Sequence, residues 1–167
     1  MGKHSNKQVT SYRILDSQVL TADIADANVT EAKIVASSGT GLGVLRVARA
    51  KYSFAVDGGA ISTITPATNA TIPNDAIIVG GTINSTTAAA GATATIAVGT
   101  SAGSSTTSIL AATAVASFSL DANLNSAATF AAPVKMTAAG SVTVTIATAA
   151  LTAGVIEITV LYFVAAA

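Results

Sequence analysis

The stretch Ser141-Val142-Thr143-Val144-Thr145-Ile146 alternates small hydroxyl and branched aliphatic residues without a break, and this period of two constrains the fold more than any other feature of the chain. Successive side chains of an extended strand point to opposite faces. Val142, Val144 and Ile146 therefore face one way, and Ser141, Thr143 and Thr145 the other. The same alternation recurs in Ala92-Thr93-Ala94-Thr95-Ile96-Ala97-Val98. Segments of this kind read as half-buried strands of an antiparallel sheet.

Eight such segments are expected, at 45–56, 60–65, 76–86, 92–99, 107–119, 128–136, 141–148 and 155–164. Glycine or proline punctuates most of the gaps, at Asp57-Gly58-Gly59, Pro73, Gly91, Gly99, Gly103, Gly140 and Gly154. Alanine runs such as Ala111-Ala112 and 147–150 favour helix by propensity. The Thr, Val and Ile around them favour strand, and strand is expected to win. Eight strands without a long helical insert make an all-β, two-sheet antiparallel sandwich of the jelly-roll kind over 45–167. Its last strand, Val155-Ile156-Glu157-Ile158-Thr159-Val160-Leu161-Tyr162-Phe163-Val164, is the most apolar segment in the chain. That strand belongs at the centre of a sheet, or along an edge shared with a neighbouring subunit.

Upstream of this body the texture differs. Ile14, Val19, Ile24, Val29 and Ile34 are spaced by five, with small or polar residues between them. Five is neither the 3.6 of a helix nor the 2.0 of a strand. It describes a chain that turns regularly and shows one branched aliphatic residue per step. So sparse a stripe cannot bury itself, because repeat structures need at least about three stacked units to form a core. The arm therefore needs other chains, and identical copies are the simplest source. Three arms around a shared axis would place the five aliphatics inside. The steps Ala22-Asp23-Ile24 and Ala27-Asn28-Val29 also fit pentapeptide-repeat β-helices, but five units make little more than one coil of that fold. The expected organisation is a flexible basic N-terminus at 1–13, the repeat arm at 14–36, a Gly/Ser linker at 37–44 and the sandwich at 45–167. The linker's Gly39, Gly41 and Gly43 do not make a phosphate loop, since no strand precedes them and no Gly-Lys-Ser/Thr closes them.

Charged residues are only 10% of the 167, well under the roughly 25% of an ordinary soluble domain. A free monomer usually stays dispersed through interspersed surface charge, so this exterior points to coverage by copies or partners. The charge is also uneven. Residues 1–51 hold Lys3, Lys7, Arg13, Lys33, Arg46, Arg49 and Lys51 against Asp16, Asp23, Asp26 and Glu31, a net +3. Residues 52–167 hold Lys135 against Asp57, Asp75, Asp121 and Glu157, a net −3. The basic side chains of the first part are candidates for docking on an acidic partner surface. They are not interleaved with aromatics, so no nucleic acid is expected as a partner. No membrane is expected either, since Thr, Ser and Gly interrupt every apolar run before about 18 residues.

The chemistry for catalysis is missing from the sequence. There is no cysteine, and the single histidine, His4, lies in a polar N-terminal stretch. Without clustered carboxylates or a second histidine, no triad, dyad or metal site is expected, no cofactor is implied, and the chain is not expected to be an enzyme. Asp121-Ala122-Asn123-Leu124-Asn125 begins like a calcium loop but has Ser126 at its sixth position and Ala132 at its twelfth. Asn28, Asn69 and Asn84 begin glycosylation sequons, which carry no weight without a secretory signal, and the polar start lacks one. The chain is expected to be soluble and made in a reducing compartment.

Residues 21–34, Thr-Ala-Asp-Ile-Ala-Asp-Ala-Asn-Val-Thr-Glu-Ala-Lys-Ile, resemble the short repeats of fibre and head-surface proteins of tailed bacteriophages, with their Val-Thr and Ala-Lys-Ile steps at Val29-Thr30 and Ala32-Lys33-Ile34. The following domain, with Tyr52-Ser53-Phe54-Ala55-Val56-Asp57-Gly58-Gly59-Ala60, Ile72-Pro73-Asn74-Asp75-Ala76-Ile77-Ile78-Val79-Gly80-Gly81 and Leu161-Tyr162-Phe163-Val164, is similar to small phage β-sandwich proteins that decorate the capsid. The resemblance implies a homotrimer standing on the capsid surface of a virion, made in the host cytoplasm and binding the major capsid protein. A capsid decoration or cement protein is thus the leading expectation. A head- or tail-fibre protein that adheres to a host surface is the alternative, and a cellular β-sandwich binding module the third class.

Overall fold

The computed structural model describes residues 45–102, 107–125 and 133–164. The segments expected at 1–13, 14–36 and 37–44 lie outside the described residues.

The described residues hold eleven strands: β1 (Arg46–Ser53), β2 (Ser62–Ile64), β3 (Thr68–Asn69), β4 (Thr71–Ile72), β5 (Ala76–Ala90), β6 (Thr95–Thr100), β7 (Leu110–Ala114), β8 (Asn123–Asn125), β9 (Val134–Lys135), β10 (Gly140–Ala147) and β11 (Ala153–Val164). One helical turn, α1 (Phe54–Asp57), and a 3-10 turn at Val115–Ser117 interrupt them. The first sheet runs β3-β1-β11-β5-β8, with β9 also on β5. The second runs β2-β10-β6-β7, with β4 also on β10. Every pairing is antiparallel.

Leaving aside the two-residue strands β3, β4 and β9, the order has a simple logic. β6 pairs with β7, β5 with β8, β2 with β10 and β1 with β11. These are the four rungs of one long antiparallel hairpin of eight strands. Contacts β11–β5 and β10–β6 then roll that hairpin into two sheets, which is the jelly-roll topology. The expected eight-stranded, all-β antiparallel sandwich is the architecture found.

Alternation explains which side chains fill it. Ala48, Ala50 and Tyr52 of β1 and Ile156, Ile158, Val160 and Tyr162 of β11 point inward and are buried. They meet Ile96 and Val98 of β6 and Val142, Val144 and Ile146 of β10 in one core cluster. Phe118, carried inward just after the 3-10 turn, completes it. β11 lies between β1 and β5, so the most apolar segment is central rather than at an edge.

Seven of the eight expected segments overlap strands of the eight-stranded roll. Of the eighth, 128–136, the described part from 133 holds β9, and the strand that completes the roll is β8, earlier in the chain. The expected 45–56 also stops short at Ser53, because Asp57 Oδ2 accepts a hydrogen bond from the Ser53 amide at 2.8 Å and the chain curls into α1. Its Oδ1 accepts from the Ala67 amide, also at 2.8 Å, so one carboxylate fixes both the turn and the loop before β3. Gly59 is required where it stands: a Cβ there would collide with the Leu151 carbonyl, while its own carbonyl accepts from the Leu151 amide at 2.8 Å.

Two polar side chains join parts that alternation alone would leave separate. Asn69 on β3 donates to the Val142 carbonyl at 2.6 Å and accepts from the Val142 amide at 3.2 Å, tying the first sheet to the second. Its amide is thus committed to structure, whatever its place in a sequon. Ser85, buried on β5, donates to the Phe118 carbonyl at 3.1 Å.

Candidate functional site

The outward positions of the first sheet gather nearly all the chemistry that the body's strands offer. On β1, Arg49 and Lys51 differ by two and therefore share the outer face. Opposite Lys51 in register stands Glu157 of β11, and the two form an ion pair of 3.5 Å with both side chains half-exposed. Arg49 lies opposite Thr159 and has no ion-pair partner among the described residues. Arg46, of the other parity, lies opposite Tyr162.

Arg49, Ala50, Lys51, Thr68, Glu157, Ile158 and Thr159 line an open groove of ≈ 410 Å³. A second hollow of ≈ 330 Å³ continues past Lys51 and Thr68 to Ser53, Val56, Asp57 and Ala67. Two cations and one carboxylate give this groove a net positive lining. The Arg49 guanidinium offers a planar fork to a carboxylate, and its exposure leaves it available.

Of the basic residues expected to dock, the structure brings Arg49 and Lys51 together on this face; Lys3, Lys7, Arg13 and Lys33 lie outside the described residues, as do Ile14, Val19, Ile24, Val29, Ile34 and His4. Towards the Leu45 end, the same face turns apolar. Val47 lies opposite Leu161, and Phe163 opposite Ile77. Sequence reading treated these as ordinary strand residues.

Elsewhere the candidate ligands stay apart. Among the described residues no group of three or more His, Cys, Asp or Glu side chains comes together. The calcium-like stretch from Asp121 is a turn followed by β8: the Asp121 amide donates to the Ser85 carbonyl at 2.8 Å, and Asn123 and Leu124 pair with β5. Tyr52 is buried, donates to the Gly58 carbonyl at 2.7 Å, and has its phenol pushed up to about 12 by burial, with the Asp57 charge adding to it. No described helix is long and apolar enough to cross a membrane.

No protein-family model matches the chain, and no curated protein is significantly similar to it. Solved structures are similar in fold. A chain in the acidic stable capsid structure of Helicobacter pylori bacteriophage KHP30 superposes with a TM-score of 0.50 and 16% identity, over 72% of this chain and 88% of that one. Chains in the capsid asymmetric unit of cyanophage Pam1 (TM-score 0.47, 22% identity, 83% and 99% covered) and in the capsid of Ralstonia phage GP4 (0.48, 15%, 78% and 90%) are also similar. At such identities the likeness to the KHP30 chain is one of fold.

Proposed function

We propose that this chain is a structural virion protein of a tailed bacteriophage, and within that class a capsid decoration or cement protein. The observation that carries the reading is the jelly-roll body, a fold it shares with a chain in the KHP30 capsid structure, with its in-strand charges confined to one sheet. The sparse apolar repeat joined to that body supports it.

In this reading three arms assemble through Ile14, Val19, Ile24, Val29 and Ile34, each burying apolar surface that stabilises the trimer by on the order of 25 cal/mol per Å². Lys3, Lys7, Arg13, Lys33, Arg46, Arg49 and Lys51 then contact acidic surfaces of major capsid subunits. Three-fold repetition turns individually weak contacts into durable attachment, because the second and third sites bind at high effective concentration. The role calls for no catalytic step, metal or cofactor.

The test is binding to capsids stripped of the protein. The wild-type chain is expected to co-sediment with them, less so as salt rises. An Ile24→Asp/Val29→Asp variant should lose both trimer mass and binding, and Arg49→Ala/Lys51→Ala should weaken binding with the trimer intact. Wild-type binding by the arm variant would overturn the mechanism. A fibre or receptor-binding role would show instead as attachment confined to a vertex or tail.

A further inference from the structure

Among the described residues, the apolar end of the first sheet's outer face takes no part in the core. Leu45, Val47 and Val79 are 55%, 50% and 40% exposed, and Ile77, Leu161 and Phe163 are half-buried. None of the six belongs to the core cluster. Register brings them together: Val47, Leu161 and Gly80 are successive neighbours across β1, β11 and β5, and Ile77 sits opposite Phe163. Between those two rungs β5 holds one extra residue, Val79, where Leu161 pairs with Gly80 and Tyr162 with Ile78. Such a bulge turns an additional side chain outward.

The other end of the same strands serves as an internal control. There the outward positions are Arg49, Lys51, Glu157, Thr159, Thr82 and Asn84, as a solvated sheet face requires. One pair of strands thus carries a water-facing half and an apolar half, and a contiguous apolar patch on a sparsely charged protein marks an interaction site.

We infer that this patch is a contact between copies of the chain, with Val47, Val79 and Leu161 of each subunit meeting those of the others around a rotation axis. The inference rests on the reading that copies gather through the arm, and adds the body as a second layer of the same assembly. Four considerations favour a copy as the occupant. Lys135 and Asp75, beside Ile77 and Ala76, form an ion pair of 3.0 Å with each other, so the patch is neutral and does not repel itself. Around a closed axis the same residues of each subunit meet, which removes the need for a second complementary patch. Among the described residues, the remaining exposed large apolar side chains, Val56, Ile61 and Leu120, stand singly in turns. Finally, residues 1–44 precede Leu45 in the chain, so copies gathered through the arm are tethered to one another at the patch end of each body.

The chain has no cysteine, so single thiols report cleanly in the full-length protein. We expect V47C to form covalent dimers on oxidation and to react with a maleimide at least about tenfold more slowly than V56C, whose position is 71% exposed and off the patch. A V47K/V79K variant, folded by circular dichroism, should dissociate at protein concentrations at least about tenfold higher than wild type. Equal labelling of V47C and V56C would overturn the inference. Protection of V47C with no change of assembly in V47K/V79K would also overturn it, since the cover would then be something other than a copy. Failure of the arm reading looks different: Ile24→Asp/Val29→Asp would keep the wild-type mass while V47C stayed protected.

Discussion

On the second sheet the outward positions of β10 and β6 are Ser141, Thr143, Thr145 and Thr95, Ala97, Gly99. On the first, those of β1 and β11 are Val47, Arg49, Lys51 and Glu157, Thr159, Leu161, Phe163. Both sets come from one alternating pattern with the same inward aliphatics. Yet among the described residues no strand of the second sheet contains a charged residue, whereas Arg46, Arg49, Lys51, Lys135 and Glu157 all lie in strands of the first. Ala97, Gly99 and Thr143 are also buried in spite of their outward direction. Inward residues decide that there is a sandwich, and outward residues decide what each sheet can meet. A face of methyl and hydroxyl groups packs closely and offers no long-range attraction, while the first sheet offers charge at one end and apolar surface at the other.

The sharpest way to break this contrast is to place a charge on the wrong sheet. Thr143 is 2% exposed and its hydroxyl has no hydrogen-bond partner among the described residues. Thr143→Lys is expected to cost about 3 kcal/mol or more, because an unpaired ammonium would be buried. Thr143→Val removes the unsatisfied hydroxyl and should stabilise by about 1 kcal/mol. Urea unfolding of both variants measures the two signs, and a neutral Thr143→Lys would mean that this face is not closely packed. Next in size is the clamp between sheets: Asn69→Ala loses both bonds to Val142 and should cost about 2 kcal/mol in the same experiment.

A pH effect on the first sheet follows from Tyr52. Its folded-state value of about 12 lies above the 10.0 of an ordinary phenol side chain, so the neutral phenol is the form the fold holds. Its contribution to stability is complete below pH 10 and is lost as pH rises from there through 12. Tyr52→Phe should remove that part of the alkaline destabilisation, read by unfolding at a series of alkaline pH values with the phenolate followed by ultraviolet absorbance. The smallest effect belongs to Lys51 and Glu157. Their half-exposed pair should show a coupling below about 1 kcal/mol in a double-mutant cycle, which leaves them available to a partner.

Much of this architecture was legible from alternation. The strands at 141–148 and 155–164 needed only their β-branched residues and flanking glycines; the apolar content of β11 allowed a central place or a shared edge, and its pairing with both β1 and β5 decides for the centre. β8 was hidden because Asn123-Leu124-Asn125 shows a single aliphatic between two poor strand formers. It becomes a strand only by pairing with Asn84, Ile83 and Thr82 of β5, a tertiary effect. α1 was hidden for a related reason: Phe54-Ala55-Val56 has strand composition, and the curl depends on Asp57 reaching the Ser53 amide. Of the candidate contact residues, the spacing of two between Arg49 and Lys51 already placed them on one face. The apolar patch needed the register of three strands and the bulge at Val79, and neither is written in any one segment.

The proposed structural virion role is tested most directly by counting this chain in phage particles purified from a host that carries its gene, by quantitative mass spectrometry against the major capsid protein. The account predicts a copy number in fixed proportion to the capsid subunits, lost on mild stripping while the shell remains. Particles that lack the chain altogether would contradict it.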